Sequence, residues 1–307
     1  MENKILDIAV IGAGPAGLTA GIYGARGGME TAVFAGPAAG GQLLQTMDIE
    51  NFPGFPNPIS GFDLMTKVIN QAKRLGSSVI SEEVKEIEVC CSPFKLRAGN
   101  SFYQAKTLII ATGAQAKWLG LASESKFIGK GVSGCATCDG FFYKGKDVCV
   151  IGGGDTAAED ALFLTKFANK VYLIHRRDQL RAAYILQEKL KNNPKIEIIY
   201  DHIAEEFSGK DKLEAVTLKN VKTGEKKILQ LPGAFIAIGH TPNTSLFKDK
   251  VRLDDQGYVI INSKYETSVE GVYAAGDVCD QIYKQAIVAA GSGCMAAMNA
   301  IKYLETK

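Results

Sequence analysis

The sequence predicts an α/β protein built from two parallel-sheet units, and three observations predict it. Short apolar runs alternate with helical patterns; a strand, a glycine-rich loop and a helix follow one another in that order twice; and 307 residues, 46% of them apolar, are enough for two ordinary cores. The apolar runs fall at residues 5–11, 31–34, 107–111, 147–151, 171–174 and 234–238. Between Gly61 and Gly76, the residues Leu64, Val68, Ala72 and Leu75 recur at helical spacing. Gly76 stands where a helix end takes a left-handed residue, so this segment reads as a surface helix. Residues 81–89, 94–96 and 214–219 alternate without long apolar runs and read as antiparallel strands beside the main sheets. Two further runs end on glycine, at Gly113 and Gly239, where the chain leaves a core strand and crosses between units.

Composition narrows the function classes. The net charge is +2, with Lys and Arg interspersed among Asp and Glu, so no basic stripe points to nucleic acid. Residues 8–25 carry no charged side chain and would pass a hydropathy scan for a membrane span. The glycines in that stretch, Pro15 and a start too close to Met1 for a signal peptide's basic region argue instead for a strand, a tight loop and a helix, so no membrane partner is expected. Seven cysteines, an odd number, argue against a secreted disulfide scaffold and for a reducing, cytoplasmic compartment. In that setting a closely spaced pair is catalytic or metal-binding.

Gly12-Ala13-Gly14-Pro15-Ala16-Gly17 follows the first strand and opens an Ala-rich helix, the context a dinucleotide fingerprint requires. Gly12 permits the tight turn, Gly14 lets backbone approach a pyrophosphate, Gly17 lets helix pack on strand, and the helix N-terminus supplies oriented N–H donors. The end of the second strand, residues 34–39, offers no acid for an adenosine ribose, and Glu30 lies at the wrong end of that strand. The second loop, Gly152-Gly153-Gly154-Asp155-Thr156-Ala157, has alanine at the third fingerprint position. After the next strand come His175, Arg176 and Arg177, then Arg181, where an NAD enzyme would place its acid. Guanidinium forks match a 2′-phosphate, so this second site should take NADPH.

Cys135-Ala136-Thr137-Cys138-Asp139-Gly140 is a Cys-x-x-Cys followed directly by an acid. That spacing closes a small reducible disulfide and can lower one thiol's pKa. A structural zinc site would need four ligands, yet Cys90, Cys91, Cys149, Cys279 and Cys294 form no second such pair and the three histidines lack ligand spacing, so no metal is expected. Asp139 is placed to shuttle a proton to or from a neighbouring thiolate. Cys149, inside an apolar strand, reads as an inert buried thiol. Nothing local tells which sulfur of the pair receives electrons and which attacks a partner.

Taken together, these motifs resemble the low-molecular-weight thioredoxin reductases over nearly the whole chain. The resemblance is carried by the two glycine loops, Gly40-Gly41-Gln42-Leu43, Glu50-Asn51-Phe52-Pro53-Gly54, Ala111-Thr112-Gly113-Ala114, the cysteine motif, His175-Arg176-Arg177-Asp178, Gly276-Asp277 and Tyr283-Lys284-Gln285-Ala286. It implies two Rossmann-like domains of the three-layer ββα sandwich type, the NADPH domain (residues 115–244) inserted into an FAD domain (residues 1–114 and 245–307). Asp277 would hold the flavin's ribityl chain, while Gln42, Asn51, Gln285 and Ala286 would line the isoalloxazine, and Gly41, Gly113 and Gly276 belong to the same flavin-side motifs. Lys284 stands where the family often has Arg, keeping charge but losing the planar fork. The resemblance further implies a homodimer, thioredoxin as the acceptor, and rotation of the NADPH domain about hinges near residues 114–117 and 239–244. The rival readings are a ferredoxin-linked flavin reductase, opposed by the arginines, and a non-enzymatic redox sensor.

Overall fold

A computed structural model of the chain describes residues 5–37, 39–46 and 48–307. It runs β1 (Ile5–Ile11), α1 (Pro15–Arg26), β2 (Thr31–Phe34), α2 (Gly61–Arg74) and β3 (Ser78–Ile80), then β4 (Val84–Glu88), β5 (Phe94–Ala98) and the long β6 (Ser101–Ile110). After β7 (Ala114–Ala116) come α3 (Glu124–Phe127), β8 (Val132–Ser133), α4 (Ala136–Asp139), β9 (Asp147–Gly152), α5 (Asp155–Leu164), β10 (Lys170–Ile174), α6 (Tyr184–Lys191) and β11 (Ile196–Ile199). Three strands follow, β12 (His202–Ser208), β13 (Ala215–Asn220) and β14 (Lys226–Gln230), before β15 (Gly233–Ala237) and β16 (His240–Pro242). The chain closes with β17 (Val272–Ala274) and α7 (Ala286–Glu305).

Contacts divide the chain into two compact units, residues 1–115 with 241–307, and residues 116–240. Residues 241–244, grouped by sequence with the inserted segment, fall in the first unit because Asn243 N donates to Gly113 O and Thr112 Oγ1 donates to Asn243 O.

In the first unit, β1 lies between β2 and β6, parallel to both, with Ile8 opposite Thr31 on one side and Thr107 on the other. Side chains alternate across the sheet, as a period of two requires. Ile8, Val10, Val33 and Ile109 face the helices α1 and α7, while Ala9, Ile11, Phe34 and Ile110 face a second core with Leu96, Phe247 and Val259. The antiparallel β4 and β5 join this same sheet through β6, which pairs with β5 along its first half and with β17 along its second. They are therefore an extension of the main sheet, not the separate satellite that their alternation suggests. The expected strand over residues 81–89 starts only at Val84, and Ser78–Ile80 is a parallel edge strand beside β2. The helix expected after Gly61 is α2, capped by Ser60 Oγ accepting from Asp63 N, and Gly76 takes the left-handed φ of +102° that the sequence placed there.

By length and composition α7 could cross a membrane. One face of it is buried through Ala289, Ser292, Gly293, Ala296, Ala297 and Ala300. At Gly293 an added Cβ would stand 2.0 Å from Ala16 O, so α7 and α1 touch backbone to backbone. The uncharged stretch 8–25 forms β1, its loop and α1.

The second unit repeats the plan with three clean layers. Its sheet, ordered β11-β10-β9-β15-β8, is parallel throughout. Val148, Val150, Leu173 and Phe235 pack on α5 and α6; Cys149, Ile151, Ile174 and Ile236 pack on the antiparallel β12-β13-β14 sheet through Phe207, Val216 and Leu218. Each of these buried side chains contributes roughly 1.5–3 kcal/mol, which makes the parallel strands the rigid floor of the loops at their C-terminal ends.

Candidate functional site

The first loop is shaped by three glycines acting in three ways. Gly12 has φ +109°, and a Cβ there would lie 2.2 Å from Ala111 O. Gly17 has no room at all, because its Cβ would stand 1.8 Å from Gly12 O. Gly14 is the reverse: its backbone is ordinary, yet among the described residues, its chain neighbours aside, no atom comes within 4 Å of the position its Cβ would take. That clearance lies at the N-cap of α1, with Pro15 and Ala16 in the first turn and no side chain capping the N–H groups. A diphosphate fits there as the missing acceptor. The turn at Gly40 and Gly41 closes one side of it, with Gly40 N donating to Ala13 O at 3.0 Å and the Gly41 Cβ position 3.2 Å from Gly14 Cα.

Residues far apart in sequence meet around this loop. Asn51 Nδ2 donates to Gln285 Oε1 at 3.4 Å, and Gln42 Nε2 donates to Ala114 O. Gly276, at φ +78°, brings Ala16 to within 2.9 Å of its Cβ position, and its N–H donates to the buried Ser292 Oγ. Ala286 is the first residue of α7 and Gln285 its N-cap. Gly113 has φ +71° with nothing crowding it. Burial pushes the Asp277 carboxyl up to about 6, Asp280 adds to the rise, and Lys284 pulls it back. Lys284 is itself lowered by burial and lies 5.5 Å over the Tyr258 ring. One residue escaped sequence reasoning. Glu83 Cβ comes 3.9 Å from the Cβ position of Gly36, which puts an acidic residue beside the end of β2, where the chain order shows none. Only the register of β3 on β2 could have found it.

In the second unit, the Cβ position of Gly152 is crowded by Ala237 O at 2.4 Å and by Ala157 Cβ at 2.6 Å, whereas that of Gly154, chain neighbours aside, again has nothing within 4 Å among the described residues. The clearance at the second glycine thus recurs, at the N-cap of α5. Thr156 is exposed in the first turn, and Asp155 Oδ1 accepts from Ala183 N at 2.7 Å, tying down the following segment. Arg181 N donates to Gly153 O at 2.7 Å, which brings that residue to the loop. Arg176, Arg177 and Arg181 are all exposed, and no ion pair is formed by any of them among the described residues. His175 differs from its neighbours: it is 5% exposed, its Nδ1 lies 2.9 Å from Gly152 O, and its Nε2 is buried without a partner among the described residues. Its ring occupies the place a side chain on Gly153 would need, 2.1 Å from that Cβ position. His175 therefore supports the loop from below, while the arginines stand at the surface.

Cys135 and Cys138 form a disulfide in this unit, with Cα atoms 5.4 Å apart. Ser133 Oγ accepts from Cys135 N at 3.0 Å, and Cys135 Sγ, at the N-cap of α4, accepts from Cys138 N at 3.2 Å. Thr137 Oγ1 is 3.4 Å from the same sulfur. Two glycines let the segment sit tightly: at Gly134 a Cβ would meet Ala116 at 3.0 Å, and at Gly140 it would meet Leu164 at 2.9 Å. Burial raises the Asp139 carboxyl, partly offset by a hydrogen bond from Ser133, and burial with Asp139 nearby pushes Tyr143 up to about 12. Cys149 is fully buried and its thiol pushed up to about 12, an inert core thiol.

The pyridine nucleotide-disulphide oxidoreductase family profile matches residues 6–293. A thioredoxin reductase of Rickettsia conorii is 50% identical over 97% of both chains. A bifunctional thioredoxin reductase/thioredoxin of Mycobacterium leprae is 45% identical over 99% of this chain and 67% of its own length. The crystal structure of thioredoxin reductase from Streptococcus pyogenes superposes with a TM-score of 0.96 at 40% identity, covering all of both chains.

Proposed function

This chain belongs to the pyridine nucleotide-disulphide oxidoreductase family, and within it we propose that the chain is a thioredoxin reductase, carrying electrons from NADPH through FAD and the Cys135–Cys138 disulfide to oxidised thioredoxin. The observation that carries this reading is a Cys-x-x-Cys disulfide in the same unit as a nucleotide loop flanked by exposed arginines. Near-full-length identity to curated thioredoxin reductases supports it. The relative that joins reductase and thioredoxin in one chain supports thioredoxin as the partner.

Bound FAD supplies two-electron carriage between a nicotinamide and a disulfide. The protein's part is positioning. In the first unit the clearance over Gly14 and the N–H groups of α1 take the diphosphate, Asp277 accepts from a ribityl hydroxyl, and Gln42, Asn51, Gln285 and Ala286 border the ring system. Glu83 is our candidate for the adenosine ribose. In the second unit the clearance over Gly154 takes the other diphosphate, and Arg176, Arg177 and Arg181 take the 2′-phosphate. Two electrons open the disulfide to two thiolates, of which one takes a proton and the other keeps its charge. The Cys138 N–H and the Thr137 hydroxyl both address Cys135 Sγ, so the negative charge is best held there, and Cys135 becomes the nucleophile toward the partner's disulfide. Asp139, whose carboxyl holds its proton to higher pH than an exposed one, protonates the Cys138 thiolate and takes the proton back when the pair closes.

Exposed Tyr23 on α1 and Met295 and Met298 on α7 support a homodimer through this face, which sedimentation of the native protein and of Met298→Arg would test: the native dimer should become monomeric. Exposed free thiols and dithiol chemistry suit the cytoplasm. The activity itself is tested by following NADPH oxidation with thioredoxin. Turnover in the native protein and its loss in Cys138→Ser are expected; turnover that survives the substitution contradicts the relay.

A further inference from the structure

Besides the residues of the relay, two thiols stand together on the surface of the first unit. Cys90 and Cys91 are consecutive in the turn between β4 and β5, both exposed, with their sulfurs 3.5 Å apart. The turn is anchored on both sides. Val89 and Phe94 are buried in the core next to it, Glu88 lies opposite Lys95 with an ion pair of 3.2 Å, and Ser92 Oγ donates to Lys106 O at 3.3 Å. The two sulfurs are thus presented by a paired hairpin, not by a loose end. They are farther apart than the roughly 2.0 Å of a disulfide, yet close enough for one trivalent pyramidal centre to reach both. Cys91 holds its proton more firmly than an ordinary thiol because it shares a hydrogen bond with Cys90, and the Lys95 ammonium partly offsets this. No second free pair exists among the described residues: Cys149 is buried, Cys279 Sγ donates to Gly276 O, and Cys294 Sγ donates to Met298 Sδ.

Soft, thiophilic centres select sulfur ligands, and two thiols on one rigid turn bind such a centre as a chelate, where a single thiol would release it. We propose that Cys90 and Cys91 form a bidentate site for a trivalent organoarsenical, separate from Cys135 and Cys138. Two As–S bonds form and two As–O bonds break. Both thiol protons leave with the arsenical's oxygens as water, arsenic stays trivalent and no sulfur is oxidised.

The probe is phenylarsine oxide, and the host is the full-length chain carrying Cys135→Ser and Cys138→Ser, so that the relay cannot bind it. The protein is reduced with a phosphine, desalted without oxygen, treated with the probe, and read by intact mass and thiol titration. One phenylarsenic adduct per chain is expected, with the loss of two titratable thiols and reversal by a small dithiol. Adding either Cys90→Ser or Cys91→Ser should abolish the adduct while the circular-dichroism melting curve stays unchanged. Absence of the adduct in the parent, or its persistence in both added variants, overturns the proposal whatever the fate of the thioredoxin reaction.

Discussion

The two glycine-rich loops follow one plan and differ at three places. In the first, Gly17 tolerates no side chain, since its Cβ would stand 1.8 Å from Gly12 O; in the second, Ala157 holds that place with its Cβ 2.6 Å from the Gly152 Cβ position. The middle position is a buried Ala13 in one and Gly153 in the other, where the His175 ring takes up the space. At the end of the next strand, the first unit brings Glu83, from beyond β3, beside Gly36, and the second sets Arg176 and Arg177. The glycines therefore report a phosphate cradle and nothing about the nucleotide. What distinguishes one nucleotide from another is the charge at the end of the second strand.

That comparison can be broken most severely at its first difference. Gly17→Ala should lose bound flavin and cost above about 3 kcal/mol, because the clash is with backbone and cannot relax, whereas Ala157→Gly should cost about 1 kcal/mol and leave NADPH turnover near native. Thermal melts and flavin content on the two purified variants check both. At the strand end, replacing Arg176 and Arg177 together with Ala should raise the KM for NADPH roughly 10–100-fold, as expected for lost charge-assisted hydrogen bonds, and leave that for NADH unchanged. Steady-state kinetics with both nucleotides read this directly, and an equal rise for NADH would show that the arginines do not address the 2′-phosphate.

A smaller effect sharpens the first site. With its carboxyl raised to about 6, Asp277 contributes stability to the flavin-free chain that is present below the ordinary aspartate range and lost as pH rises through about 6. Asp277→Asn should therefore make the apoprotein roughly 1–3 kcal/mol more stable, relative to the native apoprotein, at pH 8 than at pH 4.5, a difference measurable by urea melts. The same substitution should weaken flavin binding. Gain of apo-stability with no loss of flavin would remove Asp277 from the site.

Much of this is legible in the sequence alone. β1 and β2 have the bounds their apolar runs announce, and β9, β10 and β15 differ by a residue, because buried parallel strands flanked by glycine leave an unbroken signal. β3 was not legible: three residues after Gly76, half exposed at a sheet edge, carry no periodicity. The false start at residue 81 has a related cause, since Gly36 N donates to Glu82 O and Gly99 N donates to Glu83 O, which holds the two residues out of the strand. Without β3 there was no means to bring Glu83 to β2. His175 stands among arginines in sequence and reads as one group with them, but its burial depends on Gly153 lacking a side chain, a contact that no spacing rule contains. The meeting of Asn51 with Gln285 joins residues 234 apart and was inferable only through the family resemblance.

The central claim is that one chain passes electrons from NADPH to a cysteine pair through a flavin held in the other unit. The most direct test adds NADPH to the purified holoprotein without oxygen while flavin absorbance and free thiols are followed together. The account predicts that the flavin band bleaches with NADPH far faster than with NADH, and that two new thiols per chain appear in the native protein and none in Cys138→Ser. Bound flavin that stays oxidised in NADPH, or that bleaches without new thiols in the native chain, would contradict it.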